Sequence, residues 1–128
     1  MIIKRSIDIE EVIRSALNSH IRAYCRPLPS DYSLPNVLIT NVGGADRNDI
    51  DGFEVVLDAR ARTEEEASLT LRNAIGVLKQ IAAEQTTAIR FVNVNTAGSW
   101  GSDPVRPDLA MCSARIRVIA HQEKVEVN

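Results

Sequence analysis

The sequence is poor in cysteine and in aromatic residues. Its 128 residues include two cysteines, one tryptophan, two tyrosines and two phenylalanines. Cys25 and Cys112 are too few for a disulfide framework and lack the spacing of metal ligands. A chain of this length buries roughly two-thirds of its unfolded surface, so its fold needs no crosslink. We therefore expect a single domain over residues 1–128, with residues 122–128 forming either a flexible tail or a strand extension.

The sequence also lacks a strong net charge and a long apolar run. Fifteen lysines and arginines stand against seventeen aspartates and glutamates, which gives a formal charge of −2. That balance removes the broad attraction to phosphates on which non-specific nucleic-acid binding depends. The start of the chain turns polar at Lys4, too early for a signal peptide, and no apolar run approaches about 18 residues. We expect synthesis in a cytoplasm, with both thiols free.

Two segments have the periodicity of amphipathic helices, with apolar residues on one face. The first covers about residues 8–24, and Asp8 and Glu11 resemble a reciprocal N-terminal cap. The second begins where Thr63 and Glu66 form a capping box, and it ends near Glu84. These signals predict two helices that each bury one face.

Four further segments are short, rich in β-branched residues or alternating in polarity, as strands are. They cover about residues 36–42, 53–61, 89–94 and 109–121, and residues 45–51 and 96–108 are predicted loops. The order helix, strand, strand, helix, strand, strand predicts an α+β fold, α-β-β-α-β-β, with a mainly antiparallel four-stranded sheet and two helices packed on one face. An additional strand at residues 1–4 would give the ferredoxin-like order, which is the alternative fold.

The sequence offers no catalytic or cofactor-binding motif. His20 lies on the apolar stripe of the first helix, where a partly buried and hydrogen-bonded role is expected, and His121 ends a strand. Residues 46–52 resemble a calcium-binding loop, but Arg47 at the first ligand position opposes a cation and Asp58 would replace the final glutamate. We interpret this segment as a solvated hairpin loop, and we predict no catalytic, metal or cofactor site.

Five residues are candidates for a protein interface. Trp100 is carried on a long connection, where it either folds back over the core or anchors a partner. The other four are arginines that point outward from two strands, either into water or toward carboxylates of a neighbouring subunit: Arg60, Arg62, Arg115 and Arg117.

The order of elements and some local sequence point to a family. The relevant features are the N-terminal helix, the strand at 37–44, the strand at 53–61, the helix opened by residues 63–67, and a Gly/Pro-rich loop with Asp103 before a long closing strand. With them, residues 7–121 resemble the tail terminator proteins of long-tailed bacteriophages, especially small ones from phages of actinobacteria. The resemblance supplies no fixed functional residues.

The resemblance implies a structural subunit of a hexameric ring. Such a ring caps the tail tube and joins it to the head-completion proteins of the neck, and DNA passes through its central hole. The expected partners are therefore further copies of the chain, tail tube protein and a neck protein, with no cofactor and no membrane. The expected location is the virion tail or neck, after assembly in the host cytoplasm.

Three other interpretations stay open. The chain could be another neck protein such as a head-closure protein, a ferredoxin-like module that binds a small ligand, or an enzyme whose site is assembled from scattered residues. Formation of a closed ring, alone or with tail tube protein, distinguishes a terminator from the last two.

Overall fold

The computed structural model describes the backbone of residues 1–47 and 50–128, and the side chains of these residues except 45–47 and 97. Over this range the elements follow in the order β1 (Ile2–Arg5), α1 (Ile9–Leu17), β2 (Ala23–Cys25), β3 (Asn36–Arg47), β4 (Ile50–Ala61), α2 (Glu64–Glu84), β5 (Ile89–Ser102), β6 (Ala110–His121) and β7 (Glu123–Glu126). The fold is α+β with mostly antiparallel strands, which confirms the predicted class.

The strands form two sheets. The main sheet has five strands in the order β2-β3-β4-β6-β5, in which only β2 runs parallel to its neighbour. It contains the four predicted strands and is extended by β2, so the four-stranded arrangement is too small. β1 pairs antiparallel with β7 in a separate two-stranded sheet. The ferredoxin-like alternative is therefore wrong, because β1 does not enter the main sheet.

Both helices pack on one face of the main sheet, where they cover the hydrophobic core. α1 contacts α2 and β3, and α2 contacts β3, β4, β5 and β6. Alternation along β4 points Val55, Leu57 and Ala59 toward the helices, and all three are fully buried. Full burial of a valine or leucine side chain stabilises the fold by about 1.5–3 kcal/mol. No helix in the described part of the chain is both long and apolar enough to cross a membrane.

α2 begins and ends where the sequence predicts. The Thr63 hydroxyl accepts a hydrogen bond of 3.2 Å from the Glu66 amide, which satisfies one free donor of the first turn. The helix ends at Glu84 because Gln85 adopts a left-handed conformation with φ of 56°. The long helix that covers the core is thus defined by local signals at both ends.

α1 ends at Leu17, and the prediction of a helix to residue 24 is wrong. The amide of Ile21 donates to the Leu17 carbonyl at 2.8 Å in a closing turn, and Asn18 Oδ1 accepts from the Ala23 amide at 3.4 Å. The chain then becomes β2 beside β3. Apolar residues near 21–24 fit a helical stripe and a short strand equally well, so periodicity alone could not locate the end.

The two predicted loops are also shorter than expected. β3 and β4 remain paired to Arg47 and Ile50, and β5 continues to Ser102 through two register shifts and Gly98 with φ of +74°. Such bulges break the strict alternation by which a strand is recognised in sequence. The calcium-loop interpretation of residues 46–52 lies partly outside the described residues, because the side chains of 45–49 are not described.

Candidate functional site

The face of the main sheet opposite the helices carries charged side chains. Arg117 Nη1 lies 3.7 Å from Glu54 Oε1, and Asn95 Nδ2 donates to Glu54 Oε2 at 2.9 Å. Arg115 lies opposite Val56 of β4 and Thr96 of β5 in the strand register, and its side chain is exposed. Arg62, just beyond the end of β4, is also exposed. These three arginines therefore point away from the core, and Arg117 has an ion-pair partner within its own chain.

Arg60 lies on the same outer face but is not solvated. Its exposed fraction is only 7%, and its Nε donates to Asp103 Oδ2 at 2.6 Å. The expectation of a solvent-facing arginine at this position is therefore wrong, and its role in an interface stays a prediction. The alternation of β4 places Arg60 on the outer face correctly, but Asp103, which follows β5 in the chain, folds over it.

Asp103 holds this segment together with three hydrogen bonds. In addition to Arg60, it accepts from the amides of Val105 at 2.8 Å and Arg106 at 3.0 Å. Burial of Asp103 raises the pKa of its carboxyl group, but the hydrogen bond from Arg60 and the two amide bonds together outweigh burial and hold the pKa below its ordinary value. The carboxylate is therefore ionised in the folded protein at neutral pH.

A cavity of about 440 Å³, which we call the Arg60 cavity, lies beside this ion pair. Its lining consists of residues 28–30, Tyr32, Arg60 of β4 and residues 103–106. The Nη1 of Arg60 and the hydroxyl of Tyr32 are both buried, and neither has a hydrogen-bond partner in the described part of the chain. Buried donors of this kind are uncommon in folded proteins, because they lose their bonds to water without replacement.

Trp100 lies on β5 and not on a loop as predicted. It pairs with Cys112 of β6, which places its side chain on the helix-bearing face, and half of it is exposed. Phe91 on the same strand pairs with Ile119 and is also about half exposed, at 53%. One edge strand thus presents two large aromatic side chains to the surroundings.

β5 is the last strand of the main sheet. Among the described residues, β6 is its only paired strand, so its outer edge has no strand beside it. Between Ile89 and Ser102 the strand has one charged residue, Arg90, and no proline or lysine. Natural proteins protect sheet edges with charged residues, prolines or bulges, or cover them. β5 has bulges and one arginine, but among the described residues no strand covers its outer edge.

Both histidines are exposed, and both cysteines are free. His20 is exposed in the turn after α1, contrary to the expectation of partial burial, because the helix ends before it. His121 is exposed at the end of β6. Burial raises the pKa of both thiols, Cys25 and Cys112, which are free. No cluster of three or more metal-ligating side chains occurs in the part of the chain that the structure describes.

The sequence did not identify Asp103 or Tyr32 as site residues. A local signal existed for the turn, since an aspartate followed by Pro104 favours local hydrogen bonds to the next amides. The contact of Asp103 with Arg60 spans 43 positions and has no local signature.

Comparisons with known proteins add no assignment. The chain matches no protein-family profile, and a search of curated proteins finds no relative.

Proposed function

We propose that the chain is a structural virion subunit, a tail terminator that forms a hexameric ring on the end of the tail tube and joins it to the neck. The resemblance of residues 7–121 supports the phage context. The observation that carries the proposal of assembly is the open edge of β5 together with the exposed aromatic residues on it.

An open edge favours association because it presents a row of backbone donors and acceptors. Trp100 adds a large apolar surface at one end of that edge, and tryptophan is enriched among residues that dominate interface energies. Phe91 adds a second aromatic group near the other end. In the proposed ring, a neighbouring subunit covers this edge and Trp100 on the helix-bearing face, and Phe91 lies on the opposite face of the sheet.

A ring requires two different surfaces on every subunit, because each contact is made head to tail. The β5 edge is one surface. We assign the second to the exposed arginines of the outer region, Arg62 and Arg115, which would pair with carboxylates of the neighbouring subunit. The near-neutral charge of the chain suits a central channel through which DNA passes without tight binding.

The proposal is tested by adding the chain to polymerising tail tube protein from the same phage and measuring tube length by negative-stain electron microscopy. A terminator stops growth and leaves a ring at one end of each tube. The Trp100→Ala variant is expected to cap fewer tubes. Leu69→Ala is the matched control, since Leu69 is a similarly exposed apolar residue on α2, away from β5.

Two results would contradict the proposal. Tubes of unchanged length with no terminal ring would exclude a terminator. A chain that binds purified neck proteins and ignores the tube would instead be a head-closure or other neck protein. If Trp100→Ala and Leu69→Ala reduced tube capping equally, the β5 edge would be excluded as the interface.

A further inference from the structure

We infer that the Arg60 cavity is a binding site for a carboxylate group attached to a small apolar group. The inference is independent of the proposed ring, because the cavity is complete within one chain. Two sources supply this chemistry: a free short-chain carboxylic acid, or an acidic side chain beside apolar residues in a partner protein.

The first argument is the pair of unused donors. Arg60 has a side-chain exposure of 9% and uses its Nε for Asp103, while its buried Nη1 has no partner among the described residues. The buried hydroxyl of Tyr32 also has no hydrogen-bond partner among the described residues. Both residues line the same cavity. Neither atom has accessible surface in this conformation, so the guanidinium and the phenol must turn toward the cavity before a ligand reaches them. A carboxylate, with its two acceptor oxygens, then accepts from both donors.

The second argument is the kind of hydrogen-bonding group that the lining favours. The charged residues that line the cavity are Arg60, Arg106 and Asp103. Asp103 pairs with Arg60, and Asp108 pairs with Arg106 through two hydrogen bonds, so each arginine already has a counter-charge. The two atoms without a partner are both donors, so the site favours a group that only accepts hydrogen bonds, such as a carboxylate, over a cation.

The third argument is the size and character of the walls. A volume of about 440 Å³ lies within the range of small-ligand pockets, which are mostly apolar with a few fixed polar groups. Leu28, Pro29, Pro104 and Val105 supply apolar surface around the two donors. Val105 is 85% exposed, which is unusual for a valine and gives an incoming apolar group a surface to cover.

The experiment is a titration of the isotope-labelled intact chain with isovalerate, followed by nuclear magnetic resonance. We expect saturable shifts confined to residues around the cavity, with a dissociation constant of about 1 mM or lower. The neutral analogue isovaleramide has the same shape and is expected to bind at least about tenfold more weakly, because it lacks the charge. An acetylated, amidated Leu-Glu-Leu peptide and its glutamine counterpart form the second arm.

Variants separate binding from folding. Tyr32→Phe removes one donor and keeps the ring, so affinity is expected to fall by about three- to tenfold with folding unchanged. Arg60→Met combined with Asp103→Asn removes both buried charges while the asparagine keeps an oxygen for the Val105 and Arg106 amides. This double variant is expected to fold and to lose binding. Arg62→Gln is the matched control on an exposed arginine outside the cavity.

The outcomes assign the site or overturn it. Peptide binding at least about tenfold tighter than isovalerate identifies a protein segment as the source, and binding of isovalerate alone identifies a free acid. Equal binding of acid and amide, shifts that are unchanged in the folded double variant, or no saturable shift would overturn the inference. The last result would indicate that internal water satisfies Arg60 and Tyr32.

Discussion

The buried contact between Arg60 and Asp103 ties the segment after β5 to the outer face of the sheet. Both side chains are more than nine-tenths buried, so each has lost most of its hydration. Breaking such a pair by removing one partner leaves an uncompensated charge, which typically costs about 3–5 kcal/mol. The stability of this region therefore depends on the ionised state of Asp103.

Replacement of Asp103 by asparagine tests that dependence. We expect the free energy of unfolding at pH 7 to fall by about 3 kcal/mol, because Arg60 stays buried without its counter-charge. The folded-state pKa of Asp103 lies below its ordinary value of 3.8. The stabilisation is thus fully present above pH 3.8 and is lost as the pH falls through the folded-state pKa. Urea unfolding at several pH values should show the wild-type and variant curves converging in acid.

The control for this prediction is Asp108→Asn. Asp108 is also hydrogen-bonded to an arginine, Arg106, but both side chains are more than half exposed. Exposed pairs contribute little, so little change is expected at any pH. A gap between wild type and Asp103→Asn that stays constant from pH 7 to below pH 3.8 would contradict the account of Asp103.

Single residues were predicted well where their environment is local. Arg115 and Arg117 point outward because alternation along β6 requires it, and the sequence shows that alternation. Burial of Arg60 was missed because it depends on Asp103, which arrives from another part of the chain. The Arg60 cavity could not be predicted for the same reason, since its walls come from three separate segments.

At the scale of whole elements, the N-terminus of α2 is capped by the side chain of Thr63. Thr63→Ala removes the acceptor of the Glu66 amide and is expected to lower the free energy of unfolding by about 1 kcal/mol. Thermal or urea denaturation measures this change. Thr86→Ala, an exposed threonine beyond the end of α2, is the control and should have little effect. Equal effects of the two variants would contradict the capping role.

Replacement of Trp100 on β5 tests whether this side chain covers the core or anchors an interface. Replacement of a fully buried tryptophan by alanine costs about 3–5 kcal/mol, and Trp100 is half exposed. We therefore expect Trp100→Ala to lose at most about 2 kcal/mol of stability while weakening assembly. Denaturation and mass measurements on the same sample check both parts. An unfolded variant would favour the core-covering role.

The bounds of an element were predicted correctly where the sequence carries a clear signal at its ends. α2 has a capping box and a long stripe, and both of its ends match. α1 has a clear start at Asp8 but no comparable signal at Leu17, so its predicted end was too late. β5 was predicted to end early because bulges and Gly98 interrupt its alternation. The pairing of β1 with β7 joins the two ends of the described chain, and neither four-residue strand has a distinctive local pattern.

At the scale of the whole molecule, apolar residues are concentrated beneath the helices and charged residues on the opposite sheet face. The low net charge, which argues against tight nucleic-acid binding, is the sum of these mixed surface charges. Exceptions to this distribution include the exposed aromatic residues on β5. An assembly that covers β5 would remove the largest exposed aromatic side chain, Trp100, from water.

The arginine surface is tested by charge reversal. If the proposed ring forms, Arg115→Glu is expected to weaken it and lower the mass measured by light scattering, because in that ring the change replaces attraction to a neighbouring carboxylate with repulsion. Arg72→Glu makes the same charge change at an exposed position on α2. Arg117 is less suitable, since its reversal places a second negative charge beside Glu54 of the same chain. Identical masses for the Arg115 and Arg72 variants would exclude Arg115 from the interface.

The most direct test of the proposed function is the mass of the intact chain, measured by native mass spectrometry on the chain alone and mixed with tail tube protein. The proposal predicts a closed hexamer of this chain in at least one of the two conditions. A strictly monomeric or dimeric chain in both conditions would contradict the proposal that this protein is a ring-forming subunit.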